Sequence, residues 1–293
     1  MAVDVAAPIA GPAPVGRGAI RTILRRHPTI VAGSLLLAVM VLGAIFAPYL
    51  GTVDPQALSP IKRLRPPSKD YWFGTDMLGR DVYSRVVYGA RISLIVGLSV
   101  AIFSSAVGLA VGLVTGFSRI ADSIVMRVMD GLMSIPPVLL AIALMSLTRA
   151  SLENVIFAIT VAEVPRVTRL VRGVVLSLRE QPFVEAAEAT GTGFFKTLWR
   201  HILPNTLAPL LVQGTFICAA AMITEAILSF IGAGTPPNIP SWGNIMAEGR
   251  ALFQVAYTII LFPGICLSLT VLAVNLVGDG LRDALDPRLA RRM

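Results

Sequence analysis

Long stretches without charged side chains are the feature of this sequence that most restricts its fold. A helix needs about 20 predominantly apolar residues to cross the hydrocarbon core of a bilayer. Uncharged stretches of that length lie at residues 30–50, 92–117, 202–224 and 251–278. Each of them therefore predicts a membrane-spanning helix.

The composition agrees with a membrane protein. Of the 293 residues, 55% are hydrophobic and 14% are charged, whereas soluble domains average about 45–50% apolar and about 25% charged residues. The net charge is +8, and the basic residues flank the apolar stretches. We expect these residues to set the orientation in the membrane. Because they are not interleaved with aromatic residues, they do not indicate nucleic-acid binding.

Two weaker segments complete the predicted set of helices. The stretch at 131–148 is shorter but extends back over 126–130, and the stretch at 152–172 is interrupted by Glu163 and Pro165. With both included, the sequence predicts an all-α membrane protein with six transmembrane helices. The proline pair at 136 and 137, and Pro263, are expected to break membrane helices, because proline removes a backbone donor.

Orientation follows from the distribution of lysine and arginine. Most of the 25 basic residues fall on the cytoplasmic side if both termini lie inside, although a cluster at 62–91 falls outside. The predicted organisation is a cytoplasmic tail at 1–28, a first helix and extracytoplasmic segment at 29–87, a transmembrane core at 88–282 and a cytoplasmic tail at 283–293.

The extracytoplasmic segment is predicted to contain an amphipathic helix. Acidic and basic residues alternate at the i,i+4 spacing that allows ion pairs on one helix face. The pairs are Asp76 with Arg80 and Asp81 with Arg85. Three valines are expected to face the membrane or the helix bundle, namely Val82, Val86 and Val87.

The cytoplasmic segment at 185–204 has the pattern of two short helices separated by glycine. Small helix-forming residues begin it, Gly191 and Gly193 permit a sharp turn, and Pro204 suits the start of the next helix. An apolar stripe follows from the three- and four-residue spacing of Phe195, Leu198 and Ile202. Such a segment fits a groove on another protein, or it is an ordinary linker with a surface helix.

The residues of this segment resemble the EAA loop of ABC importer membrane subunits. The matching positions are Glu185, Ala186, Ala187, Gly191, Ile202, Leu203 and Pro204. In that family the loop contacts a cleft in the nucleotide-binding subunit. The resemblance thus implies that these seven residues couple this chain to an ATPase.

Further motifs resemble one branch of that family, the C-type permease subunits of dipeptide and oligopeptide (peptide/nickel-type) importers. The resemblance extends over roughly residues 20–290. The matching segments are WFGTDMLGRD at 72–81, YGARISL at 88–94, MRVMD at 126–130 followed by Pro136, EAILSFIG at 225–232, PSWG at 240–243, and Asn275 with GDGLRDALDPR at 278–288.

This resemblance implies a type I ABC importer permease fold in the bacterial inner membrane. The implied partners are a homologous second permease, two ATPase subunits that hydrolyse ATP, and an extracytoplasmic solute-binding protein, and the chain itself is expected to bind no cofactor. The implied cargo is di- or oligopeptides, although the same branch also handles nickel, glutathione and other small solutes. An ion-driven secondary carrier is the alternative from another class, and it would often show inverted repeats.

Three acidic residues at or near membrane depth are candidate pathway groups. An ionisable side chain costs free energy in the membrane, so a residue of this kind indicates a functional role. They are Asp130, Glu163 and Glu225. Structural pairing is the other interpretation, with Arg127 as the expected partner of Asp130 and Arg166 as that of Glu163. Glu163 also departs from the family pattern, which often has an aromatic residue nearby.

No pattern in the sequence indicates an enzyme. The stretch from Gly191 to Lys196 superficially resembles a phosphate-binding loop, but that loop needs glycine directly before the lysine, where this chain has Phe195. The two cysteines, Cys218 and Cys266, lie in apolar stretches without metal-ligand spacing. We expect no catalytic residues and no metal site.

Overall fold

A computed structural model of the chain describes residues 28–285. The predicted cytoplasmic tails lie largely outside this range, and we describe nothing of residues 1–27 and 286–293. Within the described range the regular structure is helical, and the only strand-like feature is an isolated bridge between Thr75 and Asp81. The all-α prediction is confirmed.

The four long apolar stretches each form a helix. Their bounds are α1 at Pro28–Ile45, α2 at Val82–Phe117, α8 at Leu203–Phe230 and α10 at Thr258–Leu285. All four are long and apolar enough to cross a membrane, with α8 counted as part of the continuous stretch Phe194–Phe230. The expected break at Pro263 is wrong, because α10 continues through it. The fixed φ of proline is compatible with a helix.

The third predicted helix is broken. It consists of α3 at Arg119–Met133 and α4 at Pro137–Ser146, which meet at an angle of 89°. The break occurs at the predicted proline pair, because Pro136 adopts an extended ψ of 132° instead of continuing the helix. The two pieces together have the length and composition of one broken span or of a re-entrant loop.

The weakest predicted helix is continuous. Residues Leu152–Arg179 form α5, which runs through Pro165 without a break. In the described range, four helices are apolar enough to cross a membrane, or five if the bent pair counts as one span. Helix α5 is not among them, because it carries too many charged residues. A sixth crossing by α5 therefore stays a prediction, supported by its extensive packing against α2.

Glycines let α2 and α5 approach closely. A Cβ atom on Gly112 would lie 2.6 Å from the Cβ atom of Val171, and Gly108 and Gly116 face valines of α5 at similar range. Small residues at four-residue spacing allow such backbone contact in membranes, where dispersion forces hold helices together. Both helices contribute to the largest buried apolar cluster, together with α4 and α8.

The predicted amphipathic outer helix is wrong. Helix α2 begins only at Val82, where the Asp81 carboxylate accepts a hydrogen bond from the backbone N–H of Ser84 at 2.9 Å. This is a helix N-cap, so Asp81 is not free to pair with Arg85. Val82 and Val86 are buried beside Trp242 in the helix bundle. The domain boundary expected at 87/88 lies inside this helix.

Shorter elements follow the remaining connections. On the side predicted to be cytoplasmic lie α6 at Pro182–Ala189, α7 at Phe194–Thr197 and a π-helical turn at Leu198–Ile202. On the opposite side lie α9 at Trp242–Gly249 and short 3-10 turns at Ala47–Tyr49, Pro60–Lys62 and Arg250–Leu252. The candidate functional residues described below lie mainly in these two sets of short elements.

Candidate functional site

The cytoplasmic segment has the predicted order of helix, turn and helix. Helix α6 ends at Ala189, and the backbone N–H of Thr192 donates to the carbonyl of Ala187 at 3.0 Å, with a second bond from Gly191 to Glu188 at 2.9 Å. Such crossed bonds close a helix end when a residue there is left-handed. Gly191 supplies that conformation, with a φ of +78°.

Helix α6 has one face toward the protein and one toward solvent. Val184 and Ala187 are buried, whereas Glu185 and Ala186 are exposed. The two alanines of the motif therefore have different environments. Ala187 packs inside this chain, and Ala186 is accessible beside the Glu185 carboxylate.

The predicted apolar stripe forms only in part. Ile202 is fully buried and Leu198 packs at the edge of the core, but Phe195 is 81% exposed. The π-helical turn Leu198–Ile202 explains the difference, because its wider hydrogen-bond spacing changes the angular register of the side chains. Phe195 instead shares the surface with the exposed Trp199. Leu203 and Pro204 form the first turn of α8, as predicted for the proline.

Aromatic and basic side chains anchor this segment to the inner ends of α2 and α5. The Phe194 ring packs edge-on against the Phe117 ring, with centroids 4.7 Å apart. The Arg179 guanidinium lies over the same Phe117 ring and donates to the Gly116 carbonyl at 3.0 Å. The segment thus contacts the last turn of α2, which Arg179 joins to the last turn of α5. Sequence reasoning missed this contact, because nothing in the spacing relates residues 117 and 194.

Asp130 pairs with a residue from another helix. Its carboxylate accepts from Arg169 of α5 at 2.5 Å, and the nearby Asp122 pairs with Arg172. The expected partner Arg127 is therefore wrong, because α5 brings its arginines to the polar face of α3. Asp130 remains exposed. Both ion pairs tie α3 to α5.

Glu163 and Glu225 are buried within helices. The expected pair of Glu163 with Arg166 is confirmed at 3.4 Å. Glu225 is fully buried, and the Ser229 hydroxyl donates to its Oε1 atom at 2.8 Å. One carboxylate oxygen of each glutamate has no hydrogen-bond partner among the described residues.

Glu225 belongs to a polar network that sequence reasoning did not foresee. The Thr235 hydroxyl lies 3.5 Å from Glu225 Oε1, and the Asn244 amide donates to Thr235 Oγ1 at 2.9 Å. Ser241 adds a further hydroxyl 3.4 Å from that of Thr235. The network joins the end of α8 to α9 across the loop between them. The EAILSFIG motif at 225–232 and the PSWG motif at 240–243 are separate in the sequence, and this network brings them together.

A second buried cluster on the outer side consists of four charged residues. Asp76 pairs with Arg80 at 2.6 Å, as its spacing predicts, and also with Arg85 at 2.6 Å. Glu248 of α9 then accepts from both arginines at 2.5 Å. The cluster fastens the outer segment and the start of α2 to α9. The sequence carried no sign of the role of Glu248.

Family models match most of the chain. The model described as the binding-protein-dependent transport system inner membrane component matches residues 105–291. A second model, the N-terminal TM domain of oligopeptide transport permease C, matches residues 18–67.

Curated relatives match nearly the whole length. A probable peptide ABC transporter permease protein of Sinorhizobium fredii is 55% identical, with 92% of each chain covered. A dipeptide transport system permease protein of Alkalihalophilus pseudofirmus is 40% identical over 91% of this chain and 88% of its own. A glutathione transport system permease protein of Pectobacterium atrosepticum is 38% identical over 92% and 90%.

The fold is also found in a solved transporter. A chain of the inward-facing MetNI methionine ABC transporter superposes with a TM-score of 0.58 at 21% identity, covering 69% of this chain and 96% of that one. The helix arrangement is thus that of a type I ABC importer permease. The chain belongs to the family of binding-protein-dependent transport system inner membrane components. It is a multi-pass membrane protein and a permease subunit.

Proposed function

We propose that this permease subunit serves an importer of di- or oligopeptides in the cytoplasmic membrane. The observation that carries the proposal is the 55% identity, over 92% of the chain, to a protein named as a probable peptide ABC transporter permease. The glutathione relative is compatible, because glutathione is itself a short peptide. Nickel and other small solutes remain alternatives within the branch.

The segment at 185–204 is the proposed docking site for an ATPase subunit. The accessible face of α6 offers the Glu185 carboxylate and the small side chain of Ala186, which permits close approach. Because Phe194 contacts Phe117, a movement of the docked segment would be passed directly to α2, and through Arg179, which lies over the Phe117 ring, to α5. ATP is hydrolysed in the partner subunits, since this chain has no phosphate-binding loop of its own.

The remaining proposed partners are a homologous second permease and an extracytoplasmic binding protein. The binding protein would dock on the outer surface built from the segment after α1 and the loop before α9. These two parts are linked by a hydrogen bond from the Gln56 amide to the Asn238 carbonyl at 3.0 Å. The segment after α1 is also joined to α9 through the ion pair of Arg80 with Glu248.

Glu163 and Glu225 stay proposed pathway groups. A buried carboxylate in a membrane helix is costly, and such residues commonly mark transport pathways. The Glu225 network also lies next to the outer loop where a delivered substrate would enter. Asp130 is kept as a third candidate because it is exposed on α3.

Uptake by a reconstituted complex tests the proposed cargo. The chain would be placed in proteoliposomes loaded with ATP, together with candidate ATPase, second-permease and binding-protein subunits. We expect accumulation of a radiolabelled dipeptide that unlabelled dipeptide suppresses and nickel does not. Uptake that continues with a hydrolysis-deficient ATPase and stops with a protonophore would instead indicate an ion-driven carrier.

A further inference from the structure

An apolar groove open to the membrane runs between α1 and α2. One wall is formed by α1 and the other by α2, and the floor comes from α8 and α10. The groove measures about 590 Å³ and continues into a second cavity of about 360 Å³. The two cavities share the lining residues Leu37, Leu98, Cys218 and Val274.

The groove exists because α1 packs mainly on α10. Gly33 lies against the backbone of α10, where an added Cβ would be 2.8 Å from the Ala273 carbonyl, and Gly280 faces Ile30 in the same interface. The contact of α1 with α2 is less extensive. Side chains such as Leu98, which is 58% exposed, are left uncovered on the α2 wall.

A single basic residue lies at one end of the groove. Arg91 donates from Nε to the Ala44 carbonyl at 2.5 Å and from Nη2 to the Ile45 carbonyl at 3.0 Å. A guanidinium has five N–H donors. These contacts use two of them, so three remain for a ligand at the groove mouth. The positive charge there suits an anionic group.

Aromatic residues place Arg91 at the depth of lipid headgroups. Tyrosine and tryptophan collect at the membrane–water interface. The Arg91 guanidinium lies 4.9 Å from the centre of the Tyr88 ring. Phe46 and Tyr49, which directly follow α1, are exposed at the same end.

The groove is longer than the hydrocarbon thickness of one leaflet. From Arg91, which lines the first cavity, to Ser105, which lines the second, α2 rises about 21 Å at about 1.5 Å per residue. The hydrocarbon core of a bilayer is about 30 Å thick, so one leaflet contributes about half of that. An acyl chain that begins below a headgroup at Arg91 would therefore end inside the groove.

We propose that this groove binds one phospholipid, with an acyl chain along α2 and the phosphate on Arg91. The lining is almost wholly apolar and suits an acyl chain, and the charge at its mouth complements the phosphate. The site lies apart from the coupling segment and from the three acidic pathway candidates. It is a lipid site on the permease surface rather than part of the transport pathway.

Native mass spectrometry of the delipidated permease tests this site. We expect dioleoyl phosphatidylglycerol to bind with one-to-one stoichiometry and at least about tenfold more tightly than dioleoylglycerol, which has the same chains and no phosphate. A hydrogen bond to a charged group accounts for a factor of about that size. Arg91→Gln should remove the preference, and Leu98→Trp should weaken both lipids by filling the groove.

Matched variants control for general effects of charge and size. Arg63→Gln removes a charge from an exposed outer residue, and Leu139→Trp adds bulk on an exposed face of α4, and neither should change lipid binding. Arg91 also caps α1, so its replacement removes a structural contact. If Arg91→Gln does not fold, the lipid binding of Leu98→Trp tests the proposal instead. Equal binding of the two lipids, or unchanged binding in Leu98→Trp, would overturn the proposal. A crosslink from Leu98→Cys to another transporter subunit in native membranes would do so as well.

Discussion

Gly191 and Gly193 lie two residues apart in the candidate coupling segment, but the backbone requires glycine at only one of them. Gly191 has a φ of +78°, whereas Gly193 has a φ of −68° that any residue adopts. A Cβ atom on either would meet no atom within 4 Å. The requirement at Gly191 is therefore conformational, and it is independent of side-chain space.

The first prediction compares alanine at these two positions. Gly191→Ala should cost about 1–2 kcal/mol in the turn, because the left-handed region is unfavourable for L-residues, and Gly193→Ala should cost much less. We expect Gly191→Ala to reduce the stimulation of ATP hydrolysis by the loaded binding protein, with little loss of complex assembly. ATPase assays in nanodiscs measure this. Equal stimulation in the two variants would show that the turn does not matter for coupling.

At the scale of single residues, the sequence predicted the turn at Gly191 and the helix start at Pro204. It did not predict which neighbouring side chains are buried. Local geometry is encoded in residue type, since glycine and proline have distinct backbone preferences. The burial of Ala187 and the exposure of Phe195 depend on the π-helical turn and on contacts with α5. No single-residue property carries that information.

At the scale of elements, the glycines of α2 determine how close α5 can lie. The second prediction concerns Gly112→Leu, whose side chain would start 2.6 Å from Val171. Overpacking of this kind costs about 1–3 kcal/mol, so we expect a lower Tm in detergent and reduced membrane expression. Gly173→Leu is the control, because nothing lies within 4 Å of a Cβ atom there. A similar Tm for both variants would contradict the close α2–α5 contact.

The third prediction concerns the outer charge cluster. Asp76→Asn leaves two arginines with one acidic partner in a buried site, where removal of one charge typically costs about 3–5 kcal/mol. Glu248→Gln should cost less, because the Glu248 side chain is 27% exposed and water can solvate the change. Thermal unfolding of the purified subunit measures which of the two variants loses more stability. A larger loss of stability in Glu248→Gln than in Asp76→Asn would show that the cluster is organised differently.

Secondary structure was predictable where the local signal is strong. The four long apolar stretches and the break at Pro136 and Pro137 follow from hydropathy and proline chemistry alone. The start of α2 at Val82 did not follow, since a helical charge pattern precedes it. Asp81 caps the N-terminus of α2 instead of lying inside a helix, and Arg85 pairs with Glu248, which is distant in the sequence. Long-range contacts of this kind are not visible in the spacing of neighbouring residues.

At the scale of the whole molecule, α2 connects the two functional ends. It begins beside the outer cluster through Arg85 and ends at Phe117, which contacts the coupling segment. A rigid helix of this length gives a direct mechanical link between the proposed docking surfaces for the binding protein and the ATPase.

The fourth prediction concerns topology. Ile61 is 92% exposed after α1, and Phe195 is 81% exposed in the coupling segment. In a background with Cys218 and Cys266 replaced by alanine, Ile61→Cys should react with a membrane-impermeant maleimide in spheroplasts. Phe195→Cys should react only after permeabilisation. The reverse pattern would contradict the orientation that the basic residues predict.

The coupling role of α6 can be tested directly by crosslinking to the ATPase. Ala186 and Ala187 are neighbours of equal size, but only Ala186 is accessible on the surface of α6. In the same cysteine-free background, we expect Ala186→Cys to form a crosslink with cysteines placed along the ATPase cleft, in a yield that ATP alters. Ala187→Cys should form little. Absence of any crosslink from Ala186→Cys in a transporter that still imports substrate would contradict it.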